Sequence, residues 1–96
     1  MTEENALRTI KKIILKFVDP KTHQLFLFGS RANGKARKFS DFDIAVNGKK
    51  PLPLKTLALI KETLEDSDLP FEIDVVDLAR TNKKFKKLAL TKIKKL

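Results

Sequence analysis

The strongest constraint on this chain is the run Gln24-Leu25-Phe26-Leu27-Phe28, which stops abruptly at Gly29-Ser30. A short, continuously apolar run rich in aromatics is the pattern of a β-strand buried on both faces. Such a strand belongs at a central place in a sheet, with helices packed around it. Helical spacing supplies the first of these. Leu7, Ile10, Ile13, Ile14 and Phe17 form one apolar face, with Arg8, Lys11, Lys12 and Lys16 off it. Thr2 can cap that helix, Glu3 and Glu4 suit its positive end, and Asp19-Pro20 is expected to end it. Residues 41–46, Asp-Phe-Asp-Ile-Ala-Val, alternate polar and apolar, as a half-buried strand does. Asn47-Gly48-Lys49-Lys50-Pro51 is turn chemistry. A second helix is predicted over 53–66, with Leu57, Ile60 and Leu64 inward, and a third strand over 71–76 after Pro70. Thr81 or Asn82 can cap a last helix over about 82–95, with Phe85, Leu88, Ala89, Ile93 and Leu96 as its apolar face. The order α-β-turn-β-α-β-α describes one small α/β domain over residues 1–96, without repeat or linker.

Composition narrows the function classes. Ninety-six residues lie near the lower limit for a self-sufficient core, and the 42% apolar share is that of a globular protein. The absence of Cys excludes disulfides, thiolate metal sites and a cysteine nucleophile. No apolar run approaches the roughly 18 residues that span a membrane, and no signal segment opens the chain, so a cytoplasmic protein is expected. The net charge of +9 is uneven. Residues 81–96 hold seven Lys and no acid, leaving +2 (14 basic minus 12 acidic) for residues 1–80. The basic character therefore belongs to the tail, and nucleic acid is not the expected partner.

The chemistry concentrates between Phe28 and Asp43. Asp41 and Asp43 are two apart on a predicted strand, so both carboxylates project from one face, roughly 7 Å apart at the backbone. Like charges so placed call for cations, and hard ions such as Mg²⁺ take oxygen ligands together with substrate phosphates. Gly29-Ser30, directly at a strand end, can form a tight turn whose N–H groups and hydroxyl donate to phosphate oxygens. Arg31, Lys35, Arg37 and Lys38 add positive charge. Asp74 interrupts the apolar strand Phe71-Glu72-Ile73-Asp74-Val75-Val76. If Ile73 and Val75 face the core, Asp74 faces the other way, toward Asp41 and Asp43 on a neighbouring strand. Three carboxylates around two ions is the two-metal arrangement for phosphoryl transfer.

Gly-Ser, ten residues, then Asp-x-Asp, with a later Asp on an apolar strand, resembles the nucleotidyltransferase superfamily typified by DNA polymerase beta. The run Leu-Phe-Gly-Ser-Arg-Ala and the small size are similar to its minimal nucleotidyltransferases, the MNT proteins often encoded beside a HEPN-domain partner. The resemblance covers essentially the whole chain. It implies an α+β nucleotidyltransferase fold, with a short mixed sheet of three strands or slightly more, packed by about four helices. It also implies that Gly29 and Ser30, with Arg31, bind the triphosphate. Asp41, Asp43 and Asp74 would ligate two Mg²⁺ (or Mn²⁺) ions, and Asp74 would help activate an acceptor hydroxyl. The implied reaction is transfer of AMP from ATP to that hydroxyl. A HEPN-type toxin is the implied acceptor, which would make the chain an antitoxin. No acceptor-binding segment follows Leu96, so the acceptor is expected to be a partner protein, or activity to need an oligomer.

Competing readings are weaker. Gly29 to Ala36 is one residue short of a P-loop, with Ala36 where the Mg²⁺-binding hydroxyl would stand, and five residues before Asp41 leave no room for its helix. Arg31 can serve a phosphate or brace a carboxylate. His23 reads as structural, Asn33-Gly34 as a turn, and Asp77 as a strand-end residue facing away from Asp74. The Lys-rich tail reads first as a solvated face. A binding module that neutralises its partner by complex formation is the alternative to catalysis, and RNA binding by the tail is the least supported.

Overall fold

The computed structural model describes residues 1–32, 34 and 41–96. In chain order it contains α1 (Glu3–Ile14), β1 (His23–Phe28), a 3₁₀ turn (Gly29–Arg31), β2 (Phe42–Gly48), α2 (Leu54–Glu65), β3 (Ile73–Asp77), a second 3₁₀ turn (Leu78–Arg80), α3 (Lys83–Ala89) and β4 (Lys94–Lys95). The sheet is mixed, in the order β3-β2-β1-β4. β1 runs antiparallel to β2 and β4, while β2 and β3 are parallel, joined through α2 as parallel neighbours require.

The two faces of this sheet explain the composition of β1. Leu25 and Leu27 point into the larger core with Ile10 and Ile14 of α1, Ile60 and Leu64 of α2, and Phe42, Ile44, Val46 and Val75 of the neighbouring strands. Phe26 points the other way, into a smaller core with Ala45, Leu78 and Ala89 of α3. A strand covered on both sides has no use for alternation, hence the unbroken apolar run. α1 begins where its sequence indicates, with the Thr2 hydroxyl accepting the Asn5 N–H at 3.1 Å.

Several boundaries differ from the sequence reading. β2 leaves out Asp41 and runs to Gly48, so Asn47 and Gly48, read as turn residues, pair with Gln24 and His23. α1 closes at Ile14, before Asp19-Pro20, because a tighter turn follows: Lys16 N–H donates to Ile13 at 3.1 Å and Phe17 N–H to Ile14 at 2.9 Å. Phe17 and Val18 reach the core from that turn. β3 starts at Ile73, two residues after Phe71. The largest correction concerns the tail. The final helix does not extend over 82–95; α3 stops at Ala89, and Lys94–Lys95 form β4 against Phe26 and Leu27. The Leu96 N–H donates to the Leu25 carbonyl at 3.1 Å, and the Leu96 side chain joins the larger core. The open edge of β1 supplies backbone partners that a longer helix would have left unmet, and lysines suit an edge strand exposed to water. Among the described residues, three α-helices and two 3₁₀ turns pack the sheet, where about four helices were expected. None of the described helices is long and apolar enough to cross a membrane.

Asp77 holds the far end of the sheet together. It is 2% exposed, and its carboxylate accepts the Leu52 N–H at 2.7 Å and the Ala79 N–H at 3.1 Å. Arg80 stands 3.7 Å away and donates to the Leu52 carbonyl at 2.6 and 3.1 Å. The strand-end reading of Asp77 is correct, but its structural weight is greater than a turn residue's. Asp77→Ala is expected to cost about 3 kcal/mol in urea denaturation, because it strands a buried N–H and a paired guanidinium.

Candidate active site

The site is set by register. Phe28 of β1 lies opposite Asp43 of β2, and Asp43 lies opposite Asp74 of β3. Paired residues project from the same face, so an aromatic ring and two carboxylates stand abreast across three strands spaced about 4.8 Å apart. Phe42 and Ile44, one residue to either side of Asp43, are fully buried in the opposite face and fix its orientation. Asp41 sits one residue ahead of β2, exposed, at the mouth of the same face. Asp74 is exposed while Val75 beside it is buried, as the alternation of β3 requires.

Electrostatics tie the three acids together. The Asp43 carboxyl is raised above its ordinary value, first by burial, then by the charge of Asp74 and then by that of Asp41. Among the described residues no Lys or Arg forms an ion pair with any of the three. Nor does any group of three described Asp, Glu or His side chains lie close enough to cage an ion unaided. The donor set is nonetheless of the right chemistry for a hard divalent ion, being hard carboxylate oxygens around a half-buried acid with no ion-pair partner among the described residues. Such an ion ordinarily completes its shell with water and substrate phosphate.

Gly29 closes the site at the end of β1. Its φ is +75°, which side-chain-bearing residues rarely adopt. A Cβ placed there would come within 3.1 Å of the Asp43 carboxyl carbon and strike a carboxylate oxygen. Only glycine lets the turn lie against that carboxylate. Ser30 and Arg31 complete the 3₁₀ turn, and the Ala32 N–H donates to the Gly29 carbonyl at 3.1 Å. Arg31 places its guanidinium 4.0 Å from the Phe42 ring centre and 5.1 Å from that of Phe71, on the side of the sheet that α1 and α2 cover. Lys35, Ala36, Arg37, Lys38 and Asn33 lie outside the described residues, and with them the near-miss P-loop; Gly34 has the positive φ of a turn glycine, +77°.

The remaining sequence assignments fall away from this face. His23 bridges Thr22 Oγ1 at 2.9 Å and the Lys50 carbonyl at 3.0 Å, a structural role. The Asp77 carboxylate is occupied by the contacts described above. Phe28 escaped notice as a site residue because its sequence context is pure core. The available signal was its position, the last residue before the glycine turn. Phe85 of α3 packs edge-on against it, with ring centres 6.3 Å apart.

The chain as a whole has known relatives. Residues 8–96 match the polymerase beta nucleotidyltransferase domain family. The chain is 37% identical over 86 residues to the "Probable protein adenylyltransferase MntA" of Haemophilus influenzae, covering 90% of this chain and 74% of that protein. It superposes on the crystal structure of a toxin–antitoxin with AMP-PNP at a TM-score of 0.76 and 29% identity, over 98% of this chain and 72% of that one. It also superposes on a complex of a tri-AMPylated Shewanella oneidensis HEPN toxin with its MNT antitoxin, at a TM-score of 0.62 and 25% identity over 92% of this chain and 69% of that one.

Two outcomes follow from the geometry. Gly29→Ala should destabilise the fold by about 1–2 kcal/mol or more, since the left-handed conformation alone costs that much before the clash with Asp43 is counted. Asp43→Asn should stabilise the metal-free protein at neutral pH. A raised carboxyl favours the folded state most in acid, and that contribution is lost as pH rises through the raised value. Thermal denaturation against pH should therefore show the Asn variant's advantage at neutral pH and its disappearance below the normal carboxylate range.

Proposed function

The chain belongs to the polymerase beta nucleotidyltransferase family, and from that premise we propose that it is an antitoxin that transfers AMP from ATP to a hydroxyl of a HEPN-family toxin. The observation that carries this reading is the alignment of Asp43 and Asp74 beside the Gly29 turn. The MntA relative and the AMPylated toxin complex support the choice of AMP and of a protein acceptor.

In this reading the acceptor oxygen attacks the α-phosphorus, the bond to the bridging oxygen breaks, and pyrophosphate leaves. Gly29 and Ser30 present backbone N–H groups and a hydroxyl to the triphosphate. Arg31, stacked on Phe42 and Phe71, braces that turn from behind and adds positive charge to it. Asp43, held by its register, and Asp41, just ahead of β2, would hold Mg²⁺ or Mn²⁺. Asp74, on the edge strand, would complete the metal site and accept the proton that the acceptor hydroxyl gives up. Bound divalent ions supply charge neutralisation for the phosphates and lower the pKa of the attacking hydroxyl. Four negative charges on ATP would otherwise meet three carboxylates that form no ion pair with a described Lys or Arg, so activity should vanish when EDTA removes the metal.

The test uses labelled ATP, Mg²⁺ and the product of the neighbouring gene as acceptor. The wild type should label the partner, and Asp43→Asn or Asp74→Asn should reduce labelling by about 10²-fold or more, the scale of losing a principal electrostatic contact to the reacting group. Full labelling by both variants would exclude this site. Silencing of the partner by unlabelling variants, through a tight complex, would favour the binding-module reading.

A further inference from the structure

Far from the carboxylates, where β1 starts and β2 ends, lies a hollow of about 440 Å³ whose walls include Lys21, His23, Gln24, Asn47, Lys49 and Lys86. We propose that it binds a small inorganic oligophosphate without metal, at a site separate from the Asp43 face. The site stands whether or not the chain transfers AMP.

Placement is the first argument. Gln24 and Asn47 are register partners, each four residues along its strand from the Phe28–Asp43 pair. Four residues of strand span about 13 Å, so a small ligand here does not reach the acids. Lys86 comes from α3. It lies one turn from Ala89, which is buried against this face of the sheet, so Lys86 leans toward the strands and is half-buried. Lys21 and Lys49 come from the segments before β1 and after β2. His23 clasps these two segments together. Its Nε2–H donates to the Lys50 carbonyl at 3.0 Å, and Nδ1 meets the Thr22 hydroxyl at 2.9 Å. Gly48 lies directly on the ring: a Cβ there would strike the imidazole and come within 2.8 Å of the Thr22 carbonyl. The wall is therefore in place before a ligand arrives.

Charge is the second. Three ammonium groups from three separate segments line the hollow, and no carboxylate does. Asp19, the nearest acid in sequence, turns its carboxylate to the Lys21 N–H at 2.8 Å. Among the described residues none of the three lysines forms an ion pair. Like charges gathered in this way repel, and an anion between them relieves the repulsion. Lysine is a common phosphate binder, acting as a point charge. Gln24 and Asn47 add amide N–H donors, and neither side chain has a hydrogen-bond partner among the described residues. One phosphate group carries about two negative charges at neutral pH, fewer than three lysines can offset, so linked phosphates match the site better. The volume lies in the range of about 300–1,000 Å³ usual for small-molecule sites. Apart from Pro20 the walls hold no apolar side chain on which a base could lie, which favours a free oligophosphate over a nucleotide.

The test titrates pyrophosphate, inorganic phosphate and ADP into the full chain by calorimetry, with EDTA present so that the Asp43 face has no metal through which to hold phosphate. Pyrophosphate should saturate the wild type below about 1 mM, with inorganic phosphate about tenfold weaker and ADP no tighter. The double variant Lys49→Gln/Lys86→Gln should weaken pyrophosphate about tenfold or more, as loss of two charge-assisted contacts requires. Gln is also a good helix former, so α3 should survive. Lys55→Gln/Lys61→Gln removes the same charge from exposed positions on α2 and should change the affinity by less than about twofold. In the wild type, pyrophosphate should shift the backbone amide resonances of Gln24, Asn47 and Gly48 and leave that of Gly29 in place. Absence of saturation, equal weakening by both double variants, or shifts centred on Gly29 would overturn the site. Inorganic phosphate binding as tightly as pyrophosphate, or ADP binding more tightly, would overturn its assignment to a free oligophosphate.

Discussion

The function proposed for this chain depends on one pairing, that of Asp43 with Asp74 across the parallel ladder of β2 and β3. Parallel neighbours need a crossover, and α2 provides it while covering the larger core. The pairing is unfavourable in itself, since two carboxylates stand side by side and one is raised by burial and by its neighbours. What enforces it is the opposite face of the same strands. Phe42, Ile44 and Val75 are buried there, and a slip of one residue would turn all of them to water. The hydrophobic core thus holds the acids where they would not gather alone. Stability is given up at the site and recovered beneath it.

The glycine turn is the second half of the same device. The close approach of Gly29 to the Asp43 carboxylate means that the glycine turn, proposed to bind phosphate, and the acidic segment are built as one unit. Arg31 fastens the turn from the other side of the sheet by lying on Phe42 and Phe71. A residue expected to touch phosphate or carboxylate is thus seen against aromatic rings. Only the three-dimensional meeting of β2, the segment leading into β3 and the turn could reveal that.

Much of the site was legible because it rests on local periodicities. The unbroken apolar run before Gly29 marked β1 as covered on both faces, and the alternation of Asp41-Phe42-Asp43-Ile44 assigned acids and core to opposite sides. What the sequence lacks is a statement of register, so the alignment of Phe28 with Asp43 and of Asp43 with Asp74 had to be seen. The tail failed for a related reason. Leu88, Ala89, Ile93 and Leu96 fit a helical stripe, yet residues 94–96 are decided by unmet hydrogen-bonding groups on β1, far away in sequence. Asp77 carries no local sign that the turn before α2 hangs from its carboxylate. Both are long-range backbone demands, which a periodicity cannot encode.

The central claim is that the face shared by Asp43 and Asp74 holds divalent cation next to a nucleotide. Diffraction from crystals grown with Mn²⁺ and a non-hydrolysable ATP analogue, collected where manganese scatters anomalously, tests it directly. The account predicts an anomalous peak within coordination distance of an Asp43 oxygen, bridged to analogue phosphates lying along Gly29 and Ser30. Nucleotide density elsewhere on the chain, or a manganese peak with neither Asp43 nor Asp74 in its shell, would contradict it.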